Sequence, residues 1–197
     1  MKALDLYCGL GGWSDGLVDV GFEVLGVELR QDLADLYQHS VIVADVRNLD
    51  PTDFEGYDLI VGSPPCRDFS AQARCAFREG NPWKIPPDPE GLGLDLVNTF
   101  LRFVKIAKPQ NWLMENVVNL TKYLELSPIM KVRIAGGKQR CFWGNFPLFL
   151  VTYHPEIRMH YTGKLRSEKN AYIPREIGRS LGLAIIQGNE VESDIEL

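Results

Sequence analysis

Cys66 is the residue of this chain best placed to act as a nucleophile. It follows Val61-Gly62-Ser63-Pro64-Pro65 and precedes Arg67-Asp68-Phe69-Ser70. Two prolines fix two φ angles and remove two backbone donors, so the chain leaves a sheet edge stiff and extended. The short apolar run Tyr57-Asp58-Leu59-Ile60 just upstream predicts a buried strand. A thiol delivered at a strand's carboxyl end stands where open α/β sheets bind ligands. By itself the motif also fits a plain Pro-rich turn, so the other chemistry-bearing residues decide. Glu28, Asp45 and Glu115 each follow an apolar run of strand character. Acids at the ends of successive strands can reach the hydroxyls and amine of an adenosine, and each alone could be a helix cap.

The elements that must carry these groups alternate. Ala3 to Tyr7 predicts a first strand, entering the turn Cys8-Gly9-Leu10-Gly11-Gly12 and then a helix through Trp13, Leu17 and Val18. Glycines in such a turn let the backbone approach a ligand and let the helix pack on the sheet. Phe22 to Glu28 is the second strand, and its acid falls about twenty residues after the glycine turn, the usual place for a ribose-gripping carboxylate. Asp32 to Tyr37 is expected as a helix and Ser40 to Ala44 as a third strand, ending in Asp45. After the cysteine comes an irregular stretch, Ser70 to Gly93, carrying Arg74, Arg78, Trp83 and Lys84. Such a loop suits a clamp closing on a substrate, or a surface insertion. Leu94 to Lys108 has helical apolar spacing, and Pro109 ends it. Asn111 to Met114 is a fifth strand ending in Glu115-Asn116-Val117, which puts Glu115 at a strand end, near Cys66 if consecutive strands are neighbours. Met130–Ala135 and Gln139–Gly144, joined at Gly136-Gly137, predict a hairpin that carries Arg140. Glu156 to Lys169 reads as loop, and Ile173, Ile177, Leu181, Ala184 and Ile185 mark a closing helix entered through Pro174, with an acidic, frayed tail over 188–197.

The composition fits one soluble α/β domain over 1–197: 45% of residues are hydrophobic, no run approaches a membrane span, and no signal pattern opens the chain. Four cysteines lie far apart with no C-x-x-C pair, which argues against a zinc site and suits a reducing cytoplasm. The net charge of −5 argues weakly against a general nucleic-acid binder, but basic residues crowd two late stretches: Lys131, Arg133, Lys138 and Arg140, then Arg158, Lys164, Arg166, Lys169, Arg175 and Arg179. A local basic face and an ordinary solvated surface both remain open.

In this order, the motifs resemble those of the cytosine-5 DNA methyltransferase family. Asp5-Leu6-Tyr7-Cys8-Gly9-Leu10-Gly11-Gly12 is similar to the family's first motif, Ser63-Pro64-Pro65-Cys66 to its catalytic loop, Glu115-Asn116-Val117 to its Glu-Asn-Val motif, and Gln139-Arg140-Cys141-Phe142-Trp143-Gly144-Asn145 to its arginine motif. Ala171 to Ile186 resembles the helix that returns to the cofactor pocket. The resemblance implies a Rossmann-like, mostly parallel mixed sheet with helices on both faces. It implies S-adenosylmethionine as cofactor, held by Tyr7, Cys8, Gly9, Leu10, Gly11 and Gly12, by Glu28 and Leu29, by Asp45 and Val46, and by Pro65. It implies that Cys66 adds to C6 of a flipped cytosine in duplex DNA, that Glu115 holds the pyrimidine edge, and that Arg140 binds the base or orders the loop. Cytosine-5 methylation of RNA and a non-catalytic methyltransferase-like DNA-binding subunit are the alternatives. The first lacks a discriminating feature, and an intact Cys66 with Glu115 speaks against the second.

The pattern departs from the family in three places. Arg67 stands where glutamine is usual, and Lys138 where the first arginine of the arginine motif is usual. Lysine keeps the charge but loses the bidentate fork. Between the arginine motif and the closing helix, only 146–170 fills the position of a target-recognition domain, too little for a separate domain. Base-edge readout needs such an element. The expectation is relaxed specificity, a homo-oligomer or a specificity partner.

Overall fold

The computed structural model describes residues 1–70, 87–134, 139–151 and 172–195, the last six of these by backbone alone. Among the described residues, seven strands form one sheet: β1 (Lys2–Leu6), β2 (Glu23–Glu28), β3 (Ser40–Val43), β4 (Leu59–Gly62), β5 (Asn111–Val117), β6 (Met130–Arg133) and β7 (Gln139–Asn145). Their order is β3-β2-β1-β4-β5-β7-β6. The first five are parallel, β7 runs antiparallel to β5, and β6 antiparallel to β7. The strand order reverses between β1 and β4, and the crevice at that switch point is where such sheets take ligands.

Period-two alternation sends the central strands' side chains to two separate cores. Ala3, Leu59, Val61 and Leu113 face α1 (Gly12–Val18) and the closing helix, through Trp13, Leu17, Ile177 and Leu181. Leu4, Leu6, Ile60 and Met114 face the long helix Leu94–Ala107, through Val97, Phe100 and Phe103. Four consecutive buried residues in β1 and all four in β4 reflect this double cover. The closing helix runs Arg175–Ile195 and crosses α1 at glycines. A Cβ on Gly16 would stand 2.2 Å from the Arg175 carbonyl oxygen, and one on Gly178 would stand 2.6 Å from that of Trp13.

The structure corrects four local expectations. The helix after β2, here α2, spans only Gln31–Ala34. It gives way because Tyr37 turns inward, where its hydroxyl lies 2.5 Å from Ser14 Oγ. Residues Pro89–Gly93 are a wide helical turn leading into α3 (Leu94–Ala107) rather than irregular chain. β5 does not stop at Met114: its pairing to β4 ends at Gly62↔Met114, but β7 pairs with it through Val117↔Arg140 and holds it extended. The closing helix, α4 (Arg175–Ile195), continues as helical backbone through most of the expected tail. The hairpin joint at Gly136-Gly137 with Lys138, the clamp stretch with Arg74, Arg78, Trp83 and Lys84, and the loop Glu156–Lys169 lie outside the described residues.

Candidate active site

The β1 turn is built around one carboxylate. Glu28 ends β2 beside the chain leaving β1, and its Oε2 accepts from the Gly9 amide at 3.0 Å while Oε1 accepts from the Arg30 amide at 2.9 Å. Each oxygen keeps further acceptor capacity. The turn itself is left-handed at Tyr7 (φ 62), Gly9 (φ 54) and Gly11 (φ 87). Only the tyrosine carries a Cβ there, a conformation that costs on the order of 1–3 kcal/mol. Its hydroxyl donates to the Leu96 carbonyl at 2.7 Å, which ties the turn to α3. Gly12 is required for a different reason: a Cβ there would meet the Ile173 carbonyl oxygen at 2.2 Å, so the helix start rests directly on the chain entering α4.

Asp45 follows β3 and caps a short helical turn, accepting from the Arg47 amide at 3.0 Å. The Arg47 guanidinium also grips it, with Nη2 to Oδ2 at 2.6 Å, and reaches Asp95 on α3 at 3.2 Å. Hydrogen bonds from Arg47 hold the Asp45 carboxyl below its ordinary range. Its acceptor capacity is therefore already shared.

A cavity of about 1210 Å³ opens over these groups. Of the residues expected to hold a cofactor, Tyr7, Cys8, Gly9, Leu10, Gly12, Glu28, Leu29, Asp45, Val46 and Pro65 line it. Gly11 does not, because its left-handed backbone turns it toward Tyr37. Cys66 and Arg140 line the same cavity, as does Arg67. Glu115 lies just behind the wall, with its carboxyl buried and Oε1 3.1 Å from Arg140 Nε. Burial pushes the Glu115 carboxyl up, while the charge of Arg140 and a hydrogen bond from Ser63 act the other way. Of the three described cysteines, Cys8 and Cys141 are buried and burial raises both thiols, strongly for Cys8. Cys8 and Cys66 both line the cavity, and Cys66 is the partly exposed one of the two.

The Pro-Pro-Cys loop is held from below. Asn116 is fully buried; its Nδ2 donates to the Pro64 carbonyl at 2.9 Å and its Oδ1 accepts from the Val117 amide at 2.8 Å. Asp68, also buried, accepts from the Asp88 amide at 3.1 Å, and Asn119 Nδ2 donates to the Phe69 carbonyl at 2.9 Å. Sequence reasoning missed these supports, and also the cavity residues Trp13, Ser63, Arg47, Leu96 and Tyr172. Ser63 carried a signal in its place before Pro-Pro-Cys; the others are brought in by tertiary contacts alone.

Comparison with known proteins agrees with this arrangement. The family model described as C-5 cytosine-specific DNA methylase matches residues 1–130. The type II methyltransferase M.HindV of Haemophilus influenzae is 29% identical over 188 residues, covering 88% of this chain and 56% of that protein. M.DdeI of Desulfomicrobium norvegicum is 33% identical over 130 residues, covering 61% of this chain and 28% of that protein. The chain thus spans about half or less of the length of these relatives. In fold, it is similar to an E. coli prophage protein described as a DNA modification methyltransferase, with a TM-score of 0.54 and 24% identity over 73% of this chain and 46% of that one. With two thirds of its length matched, the chain belongs to the C-5 cytosine-specific DNA methylase family.

Proposed function

We propose that this chain transfers a methyl group from S-adenosylmethionine to C5 of cytosine in DNA, through a covalent bond from Cys66 to C6 of a base turned out of the duplex. The observation that carries this reading is convergence: Cys66 and Arg140 line the cavity that Glu28 and Asp45 also line, and Glu115 touches Arg140 from behind. The cofactor fits the residues present. Glu28, pinned by two amides, keeps lone pairs for the two ribose hydroxyls; Tyr7, Cys8, Leu10, Leu29, Val46 and Pro65 offer apolar wall; and Gly9 lets the backbone come close. Asp45 shares its oxygens between Arg47 and any adenine amine. When bound, the sulfonium supplies an electrophilic methyl group.

Cytosine C5 is a poor nucleophile. Addition of the Cys66 thiolate to C6 forms the S–C6 bond and moves the ring's π electrons toward C5 and N3. Burial raises the proton affinity of the Glu115 carboxyl, which suits it to share a proton with N3 as charge develops there. Arg140 supplies positive charge at the same edge. The methyl group would come from the sulfonium, leaving S-adenosylhomocysteine; loss of the C5 proton to a base then expels the Cys66 thiolate by elimination, and N3 gives its shared proton back to Glu115. Flipping is required because neither face of C6 is open to a thiol inside a stacked duplex.

The stretch 146–170 is too short to form a recognition domain, so base-edge readout falls to a second copy of the chain or to a partner that supplies it. The test uses purified protein, tritiated S-adenosylmethionine and duplex DNA containing 5-fluorocytosine, with Cys66→Ala as control. Fluorine blocks elimination, so a labelled, denaturation-resistant complex that is absent in the control is expected. No adduct on DNA, with cofactor binding intact, refutes the stand-alone DNA reaction; an adduct on the matching RNA instead redirects it to that polymer.

A further inference from the structure

We infer that Trp13 and Ser63 are positioning residues, a two-step hydrogen-bond relay that aims the Glu115 carboxyl and links it to the helix following the cofactor turn. The relay follows from register. β4 ends at Gly62, opposite Met114 of β5, so the next residues along, Ser63 and Glu115, emerge side by side. One step further, Asn116 Nδ2 donates to the Pro64 carbonyl, which locks the two chains in that alignment.

Trp13 Nε1 donates to Ser63 Oγ at 3.0 Å. An indole N–H is a donor only, so Ser63 Oγ must accept it. The hydroxyl's single proton is then left to point elsewhere, and the strand register sets the Glu115 carboxyl alongside to receive it. Without the indole, the hydroxyl would be free to rotate or to take a proton from another donor.

The indole is itself fixed. Trp13 is 3% exposed, its ring meets Phe142 of β7 edge-on with centroids 5.8 Å apart, and its carbonyl oxygen presses against Gly178 of α4. The other support of Glu115 is weaker in direction. Arg140 Nε stands 3.1 Å from Oε1, close enough for strong attraction, yet neither atom has a well-aligned hydrogen-bond partner. Arg140 therefore supplies charge and Ser63 supplies direction. A carboxyl that must face one edge of a base needs both. The consequence for turnover rests on the reaction proposed above; the relay itself does not.

The experiment reads Glu115 directly. Protein labelled with 13C at glutamate Cδ is titrated by NMR, with Glu115→Gln assigning the signal, in the native chain and in Ser63→Ala, Trp13→Phe and Ser63→Thr. Loss of the Ser63 donor removes a bond that favours the ionised form. The Ser63→Ala midpoint is therefore expected to rise by about one pH unit. Trp13→Phe, which keeps the ring and removes the N–H, is expected to move it the same way by less, and Ser63→Thr to restore it. Methyl transfer should fall about tenfold in Ser63→Ala. Midpoints of Ser63→Ala and Trp13→Phe that match the native chain overturn the relay. If Ser63→Ala fails to fold, Trp13→Phe alone decides by the same criterion. Midpoints that move in a protein transferring no methyl group leave the relay standing and refute the reaction.

Discussion

Asp5 offers a test of the site's foundation that needs no substrate. It lies in β1 beneath the glycine turn, fully buried; its Oδ2 accepts from Ser14 Oγ at 2.6 Å, and its Oδ1 has no hydrogen-bond partner. Burial raises its carboxyl from 3.8 to about 7, with Glu28 and Asp15 adding to the rise and the Ser14 bonds opposing it. The unfolded chain gives up this proton near 3.8, while the native state keeps it until about 7. Between those values the native state holds the extra proton, so the stability tied to this group is full below the lower value and is lost as pH rises through the upper one. A shift of that size corresponds to about 4 kcal/mol. Asp5→Asn keeps an oxygen for Ser14 and cannot ionise. Urea unfolding of both proteins from pH 4 to pH 8 should show the variant gaining on the native chain by about that amount, with most of the gain complete by neutrality. Other groups titrate in this window, but they cancel in the difference between the two proteins. A difference that stays flat across the window, or that runs the other way, refutes the reasoning.

Three further outcomes follow from the same geometry. Glu28→Gln turns one of two oxygens that accept backbone amides into a donor facing a donor, and removes the charge offered to a ribose; calorimetry should show cofactor affinity falling about tenfold to a hundredfold, at about 1.5–3 kcal/mol for a hydrogen bond to a charged group. Gly178→Ala drives a methyl group to 2.6 Å from the Trp13 carbonyl oxygen, a backbone atom that cannot step aside, so denaturant unfolding should register a loss of about 1–3 kcal/mol or more. Asn116→Ala removes both the bond to Pro64 and the acceptor for the Val117 amide; single-turnover methylation should slow by about tenfold or more, while cofactor affinity, which Asn116 does not touch, stays within twofold.

What the sequence disclosed and what it withheld divide along a physical line. The acids ending β2 and β3 were legible because a strand followed by a turn announces itself in composition, and Glu28 and Asp45 do line the cavity. The Pro-Pro-Cys delivery was legible because proline dictates backbone shape from within the sequence itself. Glu115 was expected to end its strand and instead lies inside it, since only pairing with β7, a later and antiparallel strand, extends β5 to Val117. The failure of α2 after one turn has the same character: local spacing favours helix over Asp32 to Tyr37, but the tertiary pull of Tyr37 onto the Ser14–Asp5 pair wins. Ser63 makes the point most sharply. It stood in a motif already singled out, yet its partner Trp13 lies fifty residues upstream, and Glu115 comes alongside through a strand register that no local pattern encodes. A residue's chemistry is written in its type, but its role here is set by which chain lies alongside. The relay through Ser63 is thus testable only because the sheet places β4 next to β5 and α1 over both.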